Sequence, residues 1–260
     1  MIQHIAGQTA RLELLGFVEG VSNPEDLVDL PDSSWIVVSG MRSARHPGRL
    51  FVVDAEQPGR ARQLRWTSGA EAARVSAEVF DPHGIAARPL GHRRYELPVV
   101  DHGGGEAIDR LTLEIGDNGP VAVAGDRIVQ PAGTSANAVA YLPDGGFVMT
   151  SMFDPSDPHM LSKFAAAEKT GQVWRWSRDH GWSRFGGLEL SGANGIAASS
   201  DGSTVVVCEW AARRVWRLGS NGTPVANVQT DFLPDNLRWT ADGHLLLAGQ
   251  TRSAGEAVRL

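Results

Sequence analysis

A hairpin pattern recurs along this chain and limits the folds that are open to it. Short apolar runs are separated by turn signals at Pro31-Asp32-Ser33, Pro143-Asp144-Gly145-Gly146, Ser200-Asp201-Gly202 and Ala241-Asp242-Gly243. Asp-Gly between alternating apolar segments is typical of a tight β-hairpin, because glycine adopts the positive φ that such turns require. No long segment has convincing helical periodicity, and the best candidate runs from Met160 to Lys169. The sequence therefore predicts an all-β protein.

The hairpins belong to a longer repeat, whose spacing predicts how the strands are grouped. Copies begin near residues 25, 83, 137, 194 and 235, at intervals of roughly 40 to 60 residues. Further strands of each copy are predicted at 49–53, 111–115, 172–176 and 214–218. Repeats of about this length with several short strands each are typical of the blades of a β-propeller. We expect residues 1–260 to form one such domain.

Composition and charge exclude several classes of protein. The formal net charge is −6, which argues against nucleic acid as a partner, because phosphate binding requires clustered Lys and Arg. The single cysteine, Cys208, allows neither an internal disulfide nor a multi-cysteine zinc site. Residues 1–20 contain no long apolar run, so we expect no signal peptide or membrane span and a cytoplasmic location. The oligomeric state is left open.

The residues that begin the inner strands predict a cation site. Inner strands of a propeller all start at the same end of the axis, so residues at equivalent repeat positions meet there. These positions carry Glu25, His83, Asn137, Asn194 and the pair Asp235-Asn236. Carboxylate and amide oxygens are the ligands that Ca²⁺ prefers, about six to eight per ion. Asn and Asp also begin strands after turns, but unrelated turn residues have no reason to occupy the same position in every repeat.

Five short motifs surround these positions. They are Glu25-Asp26-Leu27, Asp81-Pro82-His83-Gly84-Ile85, Asn137-Ala138-Val139, Ala193-Asn194-Gly195-Ile196 and Asp235-Asn236-Leu237. In order and spacing they resemble motifs of the paraoxonase and gluconolactonase family of calcium-dependent β-propeller hydrolases. The resemblance extends over about residues 16 to 250.

This resemblance implies a six-bladed propeller with a catalytic calcium ion. The last blade would be incomplete in this chain, because only five inner-strand motifs are visible. Either the carboxyl end is truncated or atypical, or residues 5–18 supply strands that close the ring. The resemblance implies that the calcium ligands are Glu25, Asn137, Asn194, Asp235 and Asn236. It also implies that His83 pairs with a second histidine, for which His102 is the candidate, although His102 could equally be a histidine of a surface loop.

The family pattern is broken at one position. Paraoxonases bind a second, structural calcium ion through the acid after the first Glu and the Asp after the first metal-binding Asn. The first acid is present as Asp26, but the second position is Ala138. The second ion is therefore in doubt.

The predicted activity is hydrolysis of lactones or aryl esters. The calcium ion would polarise the carbonyl group, and His83 or Asp235 would act as general base, helped by His102. The chain has no Gly-x-Ser-x-Gly motif, which argues against a serine esterase. An insertion at 152–170 would lie near the mouth of the site, where it forms either an apolar rim or an ordinary surface helix. The rim candidates are Phe153, Met160, Leu161 and Phe164.

Two other functions fit the same pattern. A sugar-lactone hydrolase of the gluconolactonase type would use the same propeller and metal, although Asn194 and the Asp235-Asn236 pair favour the paraoxonase branch. A non-catalytic propeller that binds a partner protein is the alternative from a different class.

Overall fold

Five β-sheets surround a common axis in the computed structural model, which describes residues 16–67 and 79–251. Four sheets have four or more strands and form the blades of a β-propeller, and the fifth has two strands. The prediction of an all-β fold is confirmed.

The first two blades contain ten strands. The first blade has four antiparallel strands that run outward from the axis in chain order: β1 (Pro24–Asp29), β2 (Trp35–Gly40), β3 (Arg49–Asp54) and β4 (Arg62–Gln63). The strands of the second blade are β5 (Arg65–Trp66), β6 (Pro82–Ile85), β7 (Arg88–Gly91), β8 (Arg94–Asp101), β9 (Ala107–Gly116) and β10 (Gly119–Val129). From the axis outward their order is β6, β8, β9, β10 and β5, and β7 pairs with β8.

The remaining three sheets are antiparallel and also run outward in chain order. The third blade consists of β11 (Ser135–Tyr141), β12 (Phe147–Phe153), β13 (Gly171–Ser177) and β14 (Gly181–Leu190), with α1 (Met160–Ala165) between β12 and β13. The fourth consists of β15 (Ala193–Ala198), β16 (Thr204–Glu209), β17 (Arg214–Gly219) and β18 (Pro224–Gln229). The fifth sheet pairs β19 (Leu233–Trp239) with β20 (Leu245–Gln250). Helix α1 is shorter than the predicted segment from Met160 to Lys169.

Glycines let the inner strands approach one another closely at the axis. A Cβ atom on Gly84 would lie 2.3 Å from the carbonyl oxygen of Asn137, and one on Gly195 would lie 2.2 Å from the carbonyl oxygen of Asp235. Only glycine permits such contact between a strand and its neighbour's backbone. The glycines in the His-Gly-Ile and Asn-Gly-Ile motifs therefore have a packing role of their own.

The prediction of six blades is wrong for the part of the chain that the structure describes, which contains four blades and a two-stranded sheet. Side chains of β19 reach the backbone of β1 directly. Asn236 Nδ2 donates to the carbonyl oxygen of Glu25 at 3.1 Å, and Arg238 Nε donates to that of Leu27 at 3.1 Å. These side chains bridge β19 and β1 at the axis. Most of residues 5–18, the alternative source of closing strands, lies outside the described residues.

Away from the axis, the ring is open between the first blade and the fifth sheet. The second residue after each candidate site residue faces the neighbouring sheet, and it is buried in four inner strands: Ile85 is 0% exposed, Val139 1%, Ile196 0% and Leu237 2%. Leu27, the equivalent residue of β1, is 54% exposed. Within residues 16–67 and 79–251, the first blade therefore has no neighbouring sheet packed against Leu27.

The fifth sheet has a matching exposed face. Leu246 of β20 is 60% exposed, whereas the equivalent Val206 of β16 is 4% exposed. Between the two faces lies a cleft of about 540 Å³, lined by apolar side chains that include Ile36 and Val38. We call this cleft the open seam.

The open seam predicts unequal costs for two equivalent substitutions. Ile196→Ala should lower the free energy of unfolding by about 2–4 kcal/mol, because it leaves a cavity in a packed core. Leu27→Ala should cost less than about 1 kcal/mol, because little buried surface is lost. Urea unfolding of both variants measures the difference. Equal costs would show that Leu27 is packed in solution.

No helix in residues 16–67 or 79–251 has both the length and the apolar character needed to cross a lipid bilayer.

Candidate functional site

Every inner strand is irregular at the residue that the sequence singled out. The register with the next strand shifts between Pro24 and Asp26, Pro82 and Ile85, Ala136 and Val139, Ala193 and Ile196, and Pro234 and Leu237. Irregularities of this kind redirect side chains that would otherwise follow the alternation of the strand. All five inner strands share such a shift at the same end of the axis.

Glu25 links three of these strands. Its Oε1 atom lies 3.1 Å from Nε2 of His83 and accepts a hydrogen bond from Nδ2 of Asn236 at 3.2 Å. Nδ2 of Asn137 lies 3.1 Å from the same Nε2 atom of His83. The structure thus connects Asn236, Glu25, His83 and Asn137, in that order, through three contacts.

Asn194 and Asp235 lie beside this group. Asn194 donates a hydrogen bond to the carboxylate of Asp235, which also accepts one from Nε2 of Gln250 at 3.0 Å. Burial raises the pKa of Asp235 to about 6, and the nearby negative charge of Glu25 adds to this effect. The pKa of Asp235 is therefore raised mainly because its carboxylate is removed from water.

Four buried oxygen atoms of this site have no hydrogen-bond partner among the residues that the structure describes. They are Oε2 of Glu25 and the Oδ1 atoms of Asn137, Asn194 and Asn236. In each asparagine the amide NH₂ group has a neighbour within the site, while the oxygen is left unpaired. Buried polar atoms are normally hydrogen-bonded, because leaving one unpaired costs about 1–3 kcal/mol. The residues therefore fit a bound cation, which would satisfy all four oxygens.

The donor set depends on amide oxygens. Among residues 16–67 and 79–251, no three His, Cys, Asp and Glu side chains form a group that could hold a metal ion. A cation at this position would need the asparagines as well as the acids. Such an oxygen-rich, mostly neutral set suits a hard ion such as Ca²⁺ better than Zn²⁺, which binds nitrogen and sulfur ligands.

Asp26, a candidate for the second ion, has protein partners for both carboxylate oxygens. Oδ2 accepts hydrogen bonds from Arg238 and from the backbone N–H of Ile85 at 2.9 Å, and Oδ1 accepts one from the N–H of Leu27 at 2.8 Å. Burial raises the pKa of Asp26, and Arg238 opposes this shift. Arg238 thus provides the positive charge that a structural calcium ion would supply.

The two candidate histidines are in contact. Nδ1 of His83 lies 3.0 Å from Nε2 of His102, and the rings pack edge to face at an interplanar angle of 80°. Burial alone would lower the pKa of His83, but the charge and hydrogen bond of Glu25 raise it above its ordinary value. His102 is half-buried rather than freely exposed.

Sequence reasoning missed one residue of this group, Glu106. Its carboxylate oxygens lie 2.9 and 3.0 Å from Nδ1 of His102. The spacing of four residues could have suggested the contact in a helix, but the segment is a glycine-rich loop. No sequence signal marks such a loop as a connection between two functional side chains.

The insertion lies beside the site, although its side chains are arranged differently from the predicted rim. Phe164 is 2% exposed and packs edge to face against Phe153 and Trp210, so it belongs to a core cluster. Leu161 is exposed on α1. Met152 makes the contact with the site, where its sulfur lies 3.9 Å from Nδ2 of Asn137.

Comparison with known proteins supports the fold alone. The chain matches no protein-family model and no curated protein. It is similar in structure to luciferin-regenerating enzyme, with 14% identity, a TM-score of 0.56, and coverage of 88% of this chain and 69% of that one. It is also similar to hydrazine synthase of Kuenenia stuttgartiensis, with 13% identity, a TM-score of 0.54, and coverage of 86% and 70%. The chain is thus a β-propeller with a cluster of acids, amides and histidines at its axis.

Proposed function

We propose that this protein is a calcium-dependent hydrolase of lactones or carboxylic esters, of the paraoxonase and gluconolactonase type. The observation that carries the proposal is the group of four unpaired, buried oxygens at the axis. These atoms come from four separate strands, so no local turn chemistry explains why they lie together.

The ligands in this proposal are the five residues that the motifs indicate: Glu25, Asn137, Asn194, Asp235 and Asn236. Two carboxylates would balance the double positive charge, and three amide oxygens would add neutral ligands. When bound, the ion would supply Lewis acidity to the carbonyl oxygen of the substrate.

His83 is the proposed general base. Its Nε2 atom faces the ligand group and would accept a proton from the attacking water. Oε1 of Glu25, 3.1 Å away, would then stabilise the positive ring. The proton passes on to the leaving oxygen as the carbonyl–oxygen bond breaks, so that water is added and an acid and an alcohol are formed.

Asp235 is the other candidate for the base. Its raised pKa of about 6 suits proton transfer near neutral pH. Binding of a cation would lower that pKa again, and for this reason we assign the proton transfer to His83 and the metal-binding role to Asp235.

Known proteins support this proposal only through their similarity in fold. Luciferin-regenerating enzyme is, by its name, a catalyst, and its similarity in fold is consistent with an enzyme built on a propeller of this kind. Sugar lactones remain the alternative substrates, and partner binding without catalysis is the alternative from another class.

A hydrolysis assay tests the proposal. The purified full chain should hydrolyse an aliphatic lactone or an aryl acetate, and EGTA should lower the rate by more than about tenfold, with recovery on addition of calcium. Turnover of gluconolactone alone would place the protein with the sugar-lactone hydrolases. A folded protein that is inactive on all three substrates would contradict the proposal.

A further inference from the structure

A chain of hydrogen-bonding groups extends from the candidate ligands into the second blade. It runs from Asn137 to His83 at 3.1 Å, from His83 to His102 at 3.0 Å, and from His102 to Glu106 at 2.9 Å. Each histidine uses its two ring nitrogens for two different neighbours. The position of every proton in the chain is therefore coupled to the others.

We propose that Glu106 is a positioning residue that fixes the proton of His102 on Nδ1 and so keeps Nε2 of His102 as an acceptor for His83. A carboxylate can only accept hydrogen bonds, so Nδ1 of His102 must carry the proton. A neutral imidazole has one N–H, which leaves Nε2 of His102 as an acceptor for Nδ1–H of His83. Nε2 of His83 lies 3.1 Å from both Nδ2 of Asn137 and Oε1 of Glu25, so it accepts from Asn137 in the neutral ring and donates to Glu25 in the protonated ring. This inference rests on the proposed function, because it assigns a role to a residue behind the proposed general base, His83.

The asparagine contact is consistent with a neutral His83 ring whose proton is on Nδ1. If Nδ2 of Asn137 donates to His83, the amide oxygen is turned away from the ring, and this oxygen is one of the four unpaired atoms. When the His83 ring is protonated, Nε2–H has Oε1 of Glu25 as its acceptor at 3.1 Å, and Nδ1–H still faces Nε2 of His102 at 3.0 Å.

The loop that carries His102 and Glu106 is held rigidly. Nη2 of Arg127 donates to the carbonyl oxygens of Gly103 and Gly105, both at 2.7 Å, and Nη1 donates to Oδ2 of Asp101 at 2.7 Å. Oδ1 of Asp101 accepts from the N–H of Asp81 and from that of Gly103, both at 2.8 Å. Asp81 precedes the strand of His83, so one ionic cluster holds both histidines in register.

A matched pair of substitutions tests the role of Glu106. Glu106→Gln keeps the size of the side chain, but an amide can donate as well as accept, so the proton of His102 is no longer fixed on Nδ1. Glu114→Gln makes the same change on an exposed position of β9 that pairs with Arg94. Glu106→Asp retains the carboxylate and should restore part of the wild-type behaviour.

Two measurements give the outcome. In calcium-loaded protein with ¹⁵N-labelled histidine at alkaline pH, ring ¹⁵N spectra should show the proton of His102 on Nδ1, and Glu106→Gln should shift part of it to Nε2. The kcat value of Glu106→Gln should fall by about 10- to 100-fold with little change in KM, and Glu114→Gln should change neither.

The proposal is overturned if His102 carries its proton on Nε2 in the wild type, or if Glu106→Gln leaves the proton distribution unchanged. Failure of the proposed function has a different signature, because a protein without hydrolytic activity still reports its histidine tautomers. Glu106→Ala provides a second variant if Glu106→Gln does not fold.

Discussion

Replacing Asp235 with alanine is expected to lower kcat/KM for the best lactone or ester substrate by about 10³-fold or more. The substitution removes one of two carboxylates from the proposed calcium site and a group that lies beside His83. Losses of this size are typical when an electrostatic element of an active site is deleted. Steady-state kinetics over a range of calcium concentrations measure the effect.

The fold should tolerate this substitution. Burial and the charge of Glu25 raise the pKa of Asp235 to about 6. A carboxylate whose pKa is raised on folding destabilises the folded state above that pKa, so its removal should not lower stability at neutral pH. Asp179→Ala, at an exposed turn, is the matched control. An Asp235→Ala variant with the wild-type rate would rule out the proposed mechanism.

The second large effect is expected on thermal stability. Calcium at about 100 times its Kd should stabilise the folded protein by about 2.7 kcal/mol. For a chain of this size, that corresponds to an increase in Tm of about 5–10 °C. The physical cause is the satisfaction of four buried oxygens that have no partner in the protein. Calorimetry with calcium, with magnesium and with EGTA measures the shift.

Asn194→Leu separates binding from general stabilisation. Leucine has a similar size but no oxygen, so the calcium-dependent shift in Tm should fall to less than about half. Without calcium, the variant should lose little stability, because it no longer buries an unpaired oxygen. Asn227→Leu, at an exposed position of β18, should respond to calcium as the wild type does. A wild-type Tm that is insensitive to calcium would show that the unpaired oxygens do not bind this ion.

Much of the strand arrangement could be predicted from the sequence because its signals are local. The Asp-Gly turns mark the hairpins of β11–β12, β15–β16 and β19–β20, and the predicted strand at 172–176 lies within β13. The number of blades was not predictable in the same way. It depends on whether β19 contacts β1. The contact is a hydrogen bond between Asn236 and Glu25, which are 211 residues apart in the sequence.

The candidate site likewise contains residues that the sequence could predict and residues that it could not. Repeat position alone indicates that Glu25, Asn137 and Asn194 begin equivalent strands, and the structure places them at one end of the axis. Glu106 and Arg127 occupy no repeated position, and their contacts arise from the path of one loop of the second blade. The sequence also could not predict that Leu27 is exposed while Ile196 is buried, because both residues are apolar and occupy the same repeat position.

The sequence by itself determined the all-β class, the repeat and the residues that start each inner strand, because turn chemistry and alternation act over a few neighbouring residues. Only the tertiary structure decided that side chains of β19 reach β1, that the seam beside Leu27 is open in the described residues, and that the asparagine oxygens have no hydrogen-bond partner there. Those features depend on contacts between residues that are far apart in the sequence, and the packing of whole sheets determines these contacts.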